Sequence, residues 1–377
     1  MTTGSELHAP LRRERTILRN PCTAHSGGNP MRVTLTSRKA LGTAAVLSIA
    51  LGATACGGAR SAGGGDGPQT IRFSHVVAAE TPKGQAAEKF AEVVDENCGD
   101  ELTVEVYPNS ELYGDEDELQ ALQSGAVQML APASAKFTTI APQLQVLDLP
   151  FLFDSVDDIP DIVSPDTAVG QAIYENQELA DRNIQVLGLW DNGLKQLSSN
   201  TEMTQPSDLG GQRFRIQPSD VLQGQFDQWG AATTPLAFAE VYNALQQGVI
   251  DGQENPYSNI ESQNMHTVQE HITESNHGYI GYVQTINTDF FESLSSELQD
   301  CVTTASDEAA TYNREVAADL NDEAKQTIID ADTTEITELT PEQRQAFKDS
   351  VVPSVWEDYA DVIGQDLVDE LLANEQG

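Results

Sequence analysis

Residues 213–257 contain, in succession, the apolar and polar patterns of a strand, a helix and a second strand. This stretch opens with RFRI, so a strand here places Arg213 and Arg215 on one face and two apolar side chains on the other. The apolar face is expected to pack against a core. The pattern therefore predicts that Arg215 is directed away from that core, towards a cleft.

A helix and a second strand are predicted in the same stretch. Four apolar residues recur at i, i+3, i+4 and i+7, and Gly248 stands where helices commonly end. They are Phe238, Val241, Tyr242 and Leu245. A short strand is predicted next at 249–251, followed by a polar turn at 252–256 (GQENP). In open α/β sheets ligands lie beyond the carboxyl ends of strands, so we expect Arg215 and Asn255 to face one cleft.

Strand and helix patterns alternate along the rest of the chain. Strands are predicted at 71–77, 102–107 and 184–190, and the apolar run at 144–153 is predicted to be core. Helices are predicted from Pro82, at 116–124, at 294–329 and from Pro341. This order is typical of an α/β fold.

One seven-residue pattern occurs twice, 123 positions apart. ALQSGAV at 121–127 resembles ALQQGVI at 244–250, and each copy reads as a helix end, a glycine cap and a strand. Two similar lobes that present equivalent turns to one crevice would produce this, and 377 residues are more than a single core usually holds. A common helix-stop pattern is the alternative explanation.

The N-terminal residues have the pattern of an export signal. Residues 1–30 form no recognisable folding unit, and we interpret them as a non-native extension ahead of a start at Met31. Residues 31–56 combine basic positions, a short apolar run and the small-residue sequence ATAC, which is typical of a lipoprotein signal peptide with Cys56 as the lipidated residue. A plain secretory signal is the alternative. The Gly-rich residues 57–70 then form a flexible tether.

The charge of the chain is strongly negative. The first 56 residues hold seven of the 20 basic and two of the 59 acidic residues, so the remainder has 13 basic and 57 acidic ones. Such a surface repels nucleic acid and anionic lipid, so neither is an expected partner. If the protein binds an anion, its few cations must be concentrated at the site.

Two cysteines lie outside the leader, Cys98 and Cys301. Export places them in an oxidising compartment, where a disulfide between them is one outcome. Two unpaired buried thiols are the other, because the sequence does not supply their separation.

Six segments of the chain resemble the extracytoplasmic solute receptors of tripartite ATP-independent periplasmic (TRAP) transporters, in the branch that binds C4-dicarboxylates. They are HVVAAETPKG at 75–84, YPNSELYGDEDEL at 107–119, WDNGLKQ at 190–196, FRIQPS at 214–219, EVYNALQQGVIDGQENPYSNI at 240–260 and SNHGYIGY at 275–282. The long central segment is specific, and the likeness extends from about residue 71 to the C-terminus.

This resemblance implies a two-lobed fold of the periplasmic-binding-protein type, with hinge strands and a cleft between the lobes. We expect the chain to cross between lobes after the strand at 184–190 and to return within 276–287. The predicted lobes are 71–192 plus about 281–320, and 193–280 plus about 321–377.

The resemblance also implies the ligand-binding residues. In the family an arginine on the strand after the hinge clamps the ligand carboxylate, and Arg215 matches it. Its planar guanidinium meets a carboxylate with two parallel hydrogen bonds, which lysine does not do. Asn255 matches an asparagine that holds the same carboxylate, and Phe238 an aromatic residue that packs on the ligand. Further candidates are Lys195, Lys136, Lys83, Gln217, His75 and Asn192. No cofactor and no metal are expected.

Taken one at a time, these residues also have ordinary structural explanations. Arg215 could form a surface ion pair, Phe238 fits the core by its helical spacing, and Asn255 is a normal turn residue. A spacing at His271, Glu274 and His277 allows a metal site but is better explained by solvated side chains. The joint occurrence of Lys83, Lys136, Lys195 and Arg215 at predicted element ends favours an anion site.

Three functions were weighed. The favoured one is a lipid-anchored receptor that captures a small organic acid, a C4-dicarboxylate above all, by hinge closure and delivers it to a membrane permease. A receptor for another carboxylate, or a binding protein that serves a sensor, is the alternative. A secreted hydrolase is disfavoured, because the chain contains neither G-x-S-x-G nor H-E-x-x-H. We expect no enzymatic activity.

Overall fold

The computed structural model describes residues 68–375 and contains two β-sheets with helices packed around them. Several predictions concern residues outside this range. They are the non-native extension at 1–30, the signal peptide at 31–56, the lipidation of Cys56 and most of the tether. No described helix has the length and apolar character needed to span a bilayer.

The strands and helices are as follows. In chain order, the strands are β1 (Gln69–Ser74), β2 (Leu102–Tyr107), β3 (Met129–Leu130), β4 (Ile184–Leu194), β5 (Gln196–Ser199), β6 (Arg213–Ile216), β7 (Ala232–Pro235), β8 (Gly252–Asn255), β9 (His271–Glu274), β10 (Tyr279–Asn287) and β11 (Glu335–Glu338). The helices are α1 (Pro82–Asn97), α2 (Glu118–Gln123), α3 (Ile159–Val163), α4 (Ala168–Tyr174), α5 (Gln177–Ala180), α6 (Asp220–Gln228), α7 (Val241–Gln246), α8 (Tyr257–Ser262), α9 (Thr288–Ser293), α10 (Ser296–Ala331), α11 (Pro341–Val351), α12 (Ser354–Asp358), α13 (Ala360–Ile363) and α14 (Gln365–Glu375).

Each sheet mixes parallel and antiparallel neighbours. The first has the order β2-β1-β3-β10-β4, with β10 antiparallel to both of its neighbours. The second has the order β11-β9-β5-β8-β6-β7, with β5 antiparallel to β8 and β9. The fold is therefore α/β and two-lobed, with one sheet in each lobe.

Two adjacent segments carry the chain between the sheets. Lys195 is the single residue between β4 of the first sheet and β5 of the second, and residues 275–278 join β9 back to β10. The backbone N–H of Lys195 donates to the carbonyl oxygen of Gly278, at 2.8 Å. A Cβ atom on Gly278 would lie 2.6 Å from Cε of Lys195, so a larger residue there would have to displace the Lys195 side chain.

Helix α1 begins where its sequence predicts. The hydroxyl of Thr81 accepts a hydrogen bond from the N–H of Gly84, and Pro82 occupies the first helical position. Ala86, Phe90 and Val94 line its buried face, which packs against the 36-residue helix α10. Burying this apolar stripe is what holds the two helices together.

A disulfide bond also joins α10 to the end of α1. It links Cys98 to Cys301, whose Cα atoms lie 5.8 Å apart, and so resolves the choice that the sequence left open. The bond closes a loop with a sequence separation of 203 residues. Cross-linking so long a loop restricts the unfolded chain.

The two copies of the repeated pattern adopt the same backbone conformation. Gly125 and Gly248 both have positive φ, at 72° and 66°, a region that glycine enters without steric cost. The residue after each glycine donates its N–H to an alanine five positions back, Ala121 or Ala244, at 2.8 and 2.9 Å. Each copy then leads into a strand, β3 in the first lobe and β8 in the second.

The predicted boundaries around β8 are wrong. Residues 249–251 form a turn rather than a strand, and the predicted polar turn at 252–256 is the strand itself. β8 lies inside the sheet between β5 and β6, so its polar side chains are buried and pair with neighbours instead of with water. For example, Gln253 donates to the hydroxyl of Ser198 at 2.8 Å. The sequence analysis also missed α6 and β7, which lie between β6 and α7.

Candidate functional site

The two arginines of strand β6 differ in their exposure to solvent. Arg213 is at the surface, where its Nε donates to the carboxylate of Asp251 at 3.2 Å. Arg215 is only 1% exposed. Its Nε and Nη2 both donate to the carbonyl oxygen of Leu236, at 3.0 and 2.8 Å. The alternation predicted one face for both arginines, and the two differ in burial; the explanation as a surface ion pair describes Arg213 rather than Arg215.

A small cavity lies between the two lobes, and we call it the cleft cavity. Arg215 is not in its lining, but the charge of Arg215 interacts with Asp115 and Tyr282, which are. The volume of the cavity is about 10 Å³, enough for roughly one water molecule. Its lining includes five of the predicted ligand residues, Lys83, Lys136, Gln217, Phe238 and Asn255. It also includes residues that were not predicted: Val76, Val77, Asp115, Glu118, Ala133, Asn259 and Tyr282. Entry of a larger molecule requires the lobes to separate.

Lys83 reaches the cleft cavity from the first turn of α1. Its ammonium donates to the carbonyl oxygen of Ala131 at 3.1 Å and lies 3.8 Å from the ring centroid of Tyr282. Burial lowers the pKa of Lys83 to about 8, because the charged form loses its hydration. An anion beside this ammonium would restore the lost stabilisation.

Lys136 and Asp115 form an ion pair in the lining. Nζ of Lys136 lies 3.1 Å from the carboxylate of Asp115, and both side chains are buried. The same carboxylate accepts a hydrogen bond from the N–H of Phe238 at 2.6 Å. Burial opposes ionisation of Asp115, but the Lys136 ammonium and this N–H outweigh it and lower the pKa of the carboxyl. Asp115 therefore ties residues of both lobes together across the cavity.

Amide side chains complete the lining on the second lobe. Nδ2 of Asn255 donates to Gln253 at 2.6 Å, and Oδ1 of Asn255 accepts from Asn259 at 3.0 Å. Asn259 also donates to the hydroxyl of Tyr282, across the cavity, at 3.4 Å. Phe238 is 6% exposed and packs in a cluster with Val77 and Val241, so its predicted core role and its place in the lining coexist.

Glu118 is the residue that sequence reasoning missed most clearly. It lies at the start of α2, is 1% exposed, and its Oε1 has no hydrogen-bond partner among the described residues. Burial, followed by the charge of Asp115, raises the pKa of Glu118 to about 7. Its sequence context, GDEDEL, resembles a solvated acidic turn, and nothing in that pattern marks one of the four acids as buried.

Four of the nine predicted ligand residues lie outside the lining of the cleft cavity: Arg215, Lys195, His75 and Asn192. Lys195 is buried in the hinge, where its ammonium lies 2.9 Å from the carboxylate of Glu254. His75 is buried without a hydrogen-bond partner for either ring nitrogen, and burial lowers its pKa to about 3. Asn192 is fully buried and accepts from the hydroxyl of Ser258 at 3.4 Å.

The spacing at His271, Glu274 and His277 does not form a metal site. His277 contacts the carboxylate of Glu254 at 2.8 Å, whereas Glu274 pairs with Lys325. Within residues 68–375, no group of three or more His, Cys, Asp or Glu residues is arranged to hold a metal ion. The two histidines make separate contacts: His271 on β9 lies near Glu335, and His277 in the hinge contacts Glu254.

Comparisons with known proteins show which family the chain belongs to. Residues 73–361 match the model for bacterial extracellular solute-binding protein, family 7. The chain belongs to this family. A curated relative, the C4-dicarboxylate-binding periplasmic protein DctP of Rhodobacter capsulatus, is 42% identical over 327 residues, which are 86% of this chain and 97% of the relative.

Solved structures of family 7 receptors share the fold. A TRAP periplasmic solute-binding protein from Shewanella oneidensis with bound succinate is 42% identical, with a TM-score of 0.77, over 81% of this chain and 99% of that one. Another, from Pseudomonas aeruginosa with bound L-malate, is 37% identical, with a TM-score of 0.75. The match covers 78% of this chain and 100% of that one. The family 7 protein described here is thus an extracytoplasmic solute receptor of the TRAP type and not an enzyme.

Proposed function

We propose that this receptor captures a C4-dicarboxylate in the cleft cavity and delivers it to a TRAP membrane permease. The observation that carries the proposal is the concentration of buried cations. Only 13 basic residues follow residue 56, yet Lys83 and Lys136 both line one cavity, and the buried Arg215 interacts electrostatically with Asp115 and Tyr282 of the same lining. Burying a dianion without such partners would be prohibitively costly. Relatives that bind succinate and L-malate support the same ligand class.

Arg215 is proposed to clamp one carboxylate of the ligand. Its charge interacts with Asp115 and Tyr282, which both line the cleft cavity. Asn255 lies at the end of β8, beside β6, and is proposed to hold the same carboxylate. Lys83 approaches from the other lobe and is proposed to bind the second carboxylate. Phe238 and Gln217 would then pack against the carbon atoms of the ligand that join its two carboxylates.

Hinge closure is proposed to occur about the two crossing segments. The proposed lobes are 71–192 plus about 281–320, and 193–280 plus about 321–377. Strand membership supports this division, since β1 to β4 and β10 form one sheet and β5 to β9 with β11 form the other. Helix α10 contacts both α1 and α8 and so runs along both lobes. The small size of the cavity means that the ligand must enter while the lobes are apart.

A panel of acids tests the proposal. A ligand at 100 times its dissociation constant should add about 2.7 kcal/mol to the free energy of unfolding, which thermal melts of the receptor (residues 71–377) will show. We expect succinate, malate or fumarate to raise the melting temperature and to reduce the radius of gyration. Uptake of the same acids into vesicles that contain the permease should require the receptor.

The panel also separates the alternatives. A shift with monocarboxylic, keto or aromatic acids alone would favour a receptor for another carboxylate. A melting temperature that no acid changes would contradict an acid receptor altogether.

We further propose that the receptor is a lipoprotein anchored through Cys56 to the outer face of the cell membrane. The support is the sequence of residues 31–56, whose apolar run is shorter than a membrane span and ends at a small-residue cleavage site. Replacing Cys56 with alanine is expected to move the protein from the membrane fraction to the soluble extract of the host cell. A wild-type protein that is already fully soluble, and not labelled by radioactive fatty acid, would contradict the anchor.

A further inference from the structure

Two buried side chains of opposite charge type line the cleft cavity without touching each other. The ammonium of Lys83 contacts a carbonyl oxygen and the ring of Tyr282, but it forms no ion pair among the described residues. Glu118 is 1% exposed, and its Oε1 has no hydrogen-bond partner there. Both side chains border the cavity, so a ligand placed in it would lie next to both.

The charges around the cavity determine which acid fits. Asp115 is engaged by Lys136, so these two charges cancel. Within the described residues, Lys83 and Arg215 are then the two cations without a paired carboxylate in this lining and beside it. Their two positive charges match the two negative charges of a dicarboxylate. If Glu118 were ionised, it would cancel a second of the three cations and leave one positive charge for two carboxylates.

We propose that Glu118 carries a proton when a dicarboxylate is bound, and that this neutral carboxyl group makes the receptor select dianions over monoanions. The inference rests on the proposed function of the cleft. A protonated Glu118 can donate a hydrogen bond to the second carboxylate of the ligand, whereas an ionised one would repel it. Glu118 is therefore a specificity-determining residue of the same site.

The groups around Glu118 act on its protonation in opposite directions, and burial decides the outcome. Asp115, in the loop before α2, repels its negative charge, while Lys83 on α1 and Lys136 on the turn Ser134–Phe137 attract it. Tyr282 on β10 faces it as a neutral phenol. Arg215 lowers the pKa of Asp115 and so favours the negative charge of this neighbour of Glu118. Burial outweighs the attraction and raises the pKa of Glu118 to about 7, and a second carboxylate nearby would raise it further.

The proton balance follows from this shift. Below about pH 7 Glu118 already holds its proton, and the dianion binds without proton transfer. Above that pH the free receptor has an ionised Glu118, so binding must take one proton from solvent. The affinity for a dicarboxylate should then fall by up to tenfold for each further pH unit, which is the slope for one linked proton.

The experiment uses succinate with the receptor at pH 6 to 9. Isothermal titration in two buffers of different ionisation enthalpy measures the protons taken up by the wild type. Infrared difference spectra on adding succinate detect the carbonyl stretch of a protonated carboxyl group. We expect the wild type at pH 8 to take up as much as one proton more than Glu118→Gln, because Lys83 contributes equally to both, and to show a protonated-carboxyl band that is absent in Glu118→Gln. Glu116→Gln, the same change at an exposed position two residues earlier, should keep both signals.

Affinity supplies the second readout. The succinate affinity of Glu118→Gln should fall less steeply above pH 7 than that of the wild type, by the slope of one proton. The remaining slope comes from Lys83, whose pKa is about 8. A wild type that binds succinate without the band or the extra proton uptake would overturn the inference, as would a band that persists in Glu118→Gln. If no dicarboxylate binds at any pH, it is the proposed function that fails instead.

Discussion

Replacing Arg215 with alanine is expected to weaken dicarboxylate binding by at least about 100-fold. Each hydrogen bond from the guanidinium to a charged carboxylate contributes about 1.5 to 3 kcal/mol, and the substitution removes two of them. A loss of about 3 kcal/mol corresponds to a dissociation constant about 100 times larger. Arg215→Lys should recover part of the affinity, because lysine keeps the charge but not the fork. Titration calorimetry with succinate measures both variants.

The same substitution should also lower the stability of the fold. Arg215 donates twice to the carbonyl oxygen of Leu236, and its loss leaves that oxygen short of donors. We expect a cost of about 1 to 3 kcal/mol in the free energy of unfolding. Arg213→Ala is the matched control, since Arg213 lies two residues earlier on the same strand but is exposed. Wild-type affinity in Arg215→Ala, or an equal loss in Arg213→Ala, would show that the site is misassigned.

Replacing Lys195 with methionine is expected to have the largest effect on stability, about 3 to 5 kcal/mol. The substitution leaves the carboxylate of Glu254, which is 2% exposed, without its cation. His277 stays in contact with Glu254, but burial lowers the pKa of the imidazole and disfavours its charged form. Urea denaturation of the wild type and the variant measures the difference.

Lys325 provides the control for this prediction. It also pairs with carboxylates, those of Glu274 and Glu338, but it is about a quarter exposed. Lys325→Met should therefore cost no more than about 1 kcal/mol, because solvent screens an exposed pair. Equal costs for the two variants would show that the hinge ion pair has no special weight. The succinate affinity of Lys195→Met tests separately whether Lys195 contacts the ligand, as the family resemblance implied.

Local patterns account for most of what could be predicted. The period of two in RFRI predicted the strand β6, and Thr81 with Pro82 predicted the start of α1. Gly125 and Gly248 gave two helix ends, because only a residue without Cβ enters their conformation at low cost. Each of these signals lies within a few residues of the feature it predicts.

Polar segments inside the protein could not be predicted in this way. GQENP has the composition of a turn, yet Gly252–Asn255 is a central strand, because β5 and β6 supply partners for its backbone and side chains. The buried state of Glu118 depends in the same way on α1, β10 and the turn at Ser134–Phe137, which are distant in sequence.

The sequence by itself thus determined the α/β fold, the start of α1 and the two helix ends at Gly125 and Gly248. Only the tertiary structure decided that Lys195 pairs with Glu254, that Cys98 is bonded to Cys301, and that Glu118 borders the cavity unpaired. The physical reason is that periodicity and capping are properties of neighbouring residues. The energy of a buried charge depends instead on which distant groups the fold brings beside it.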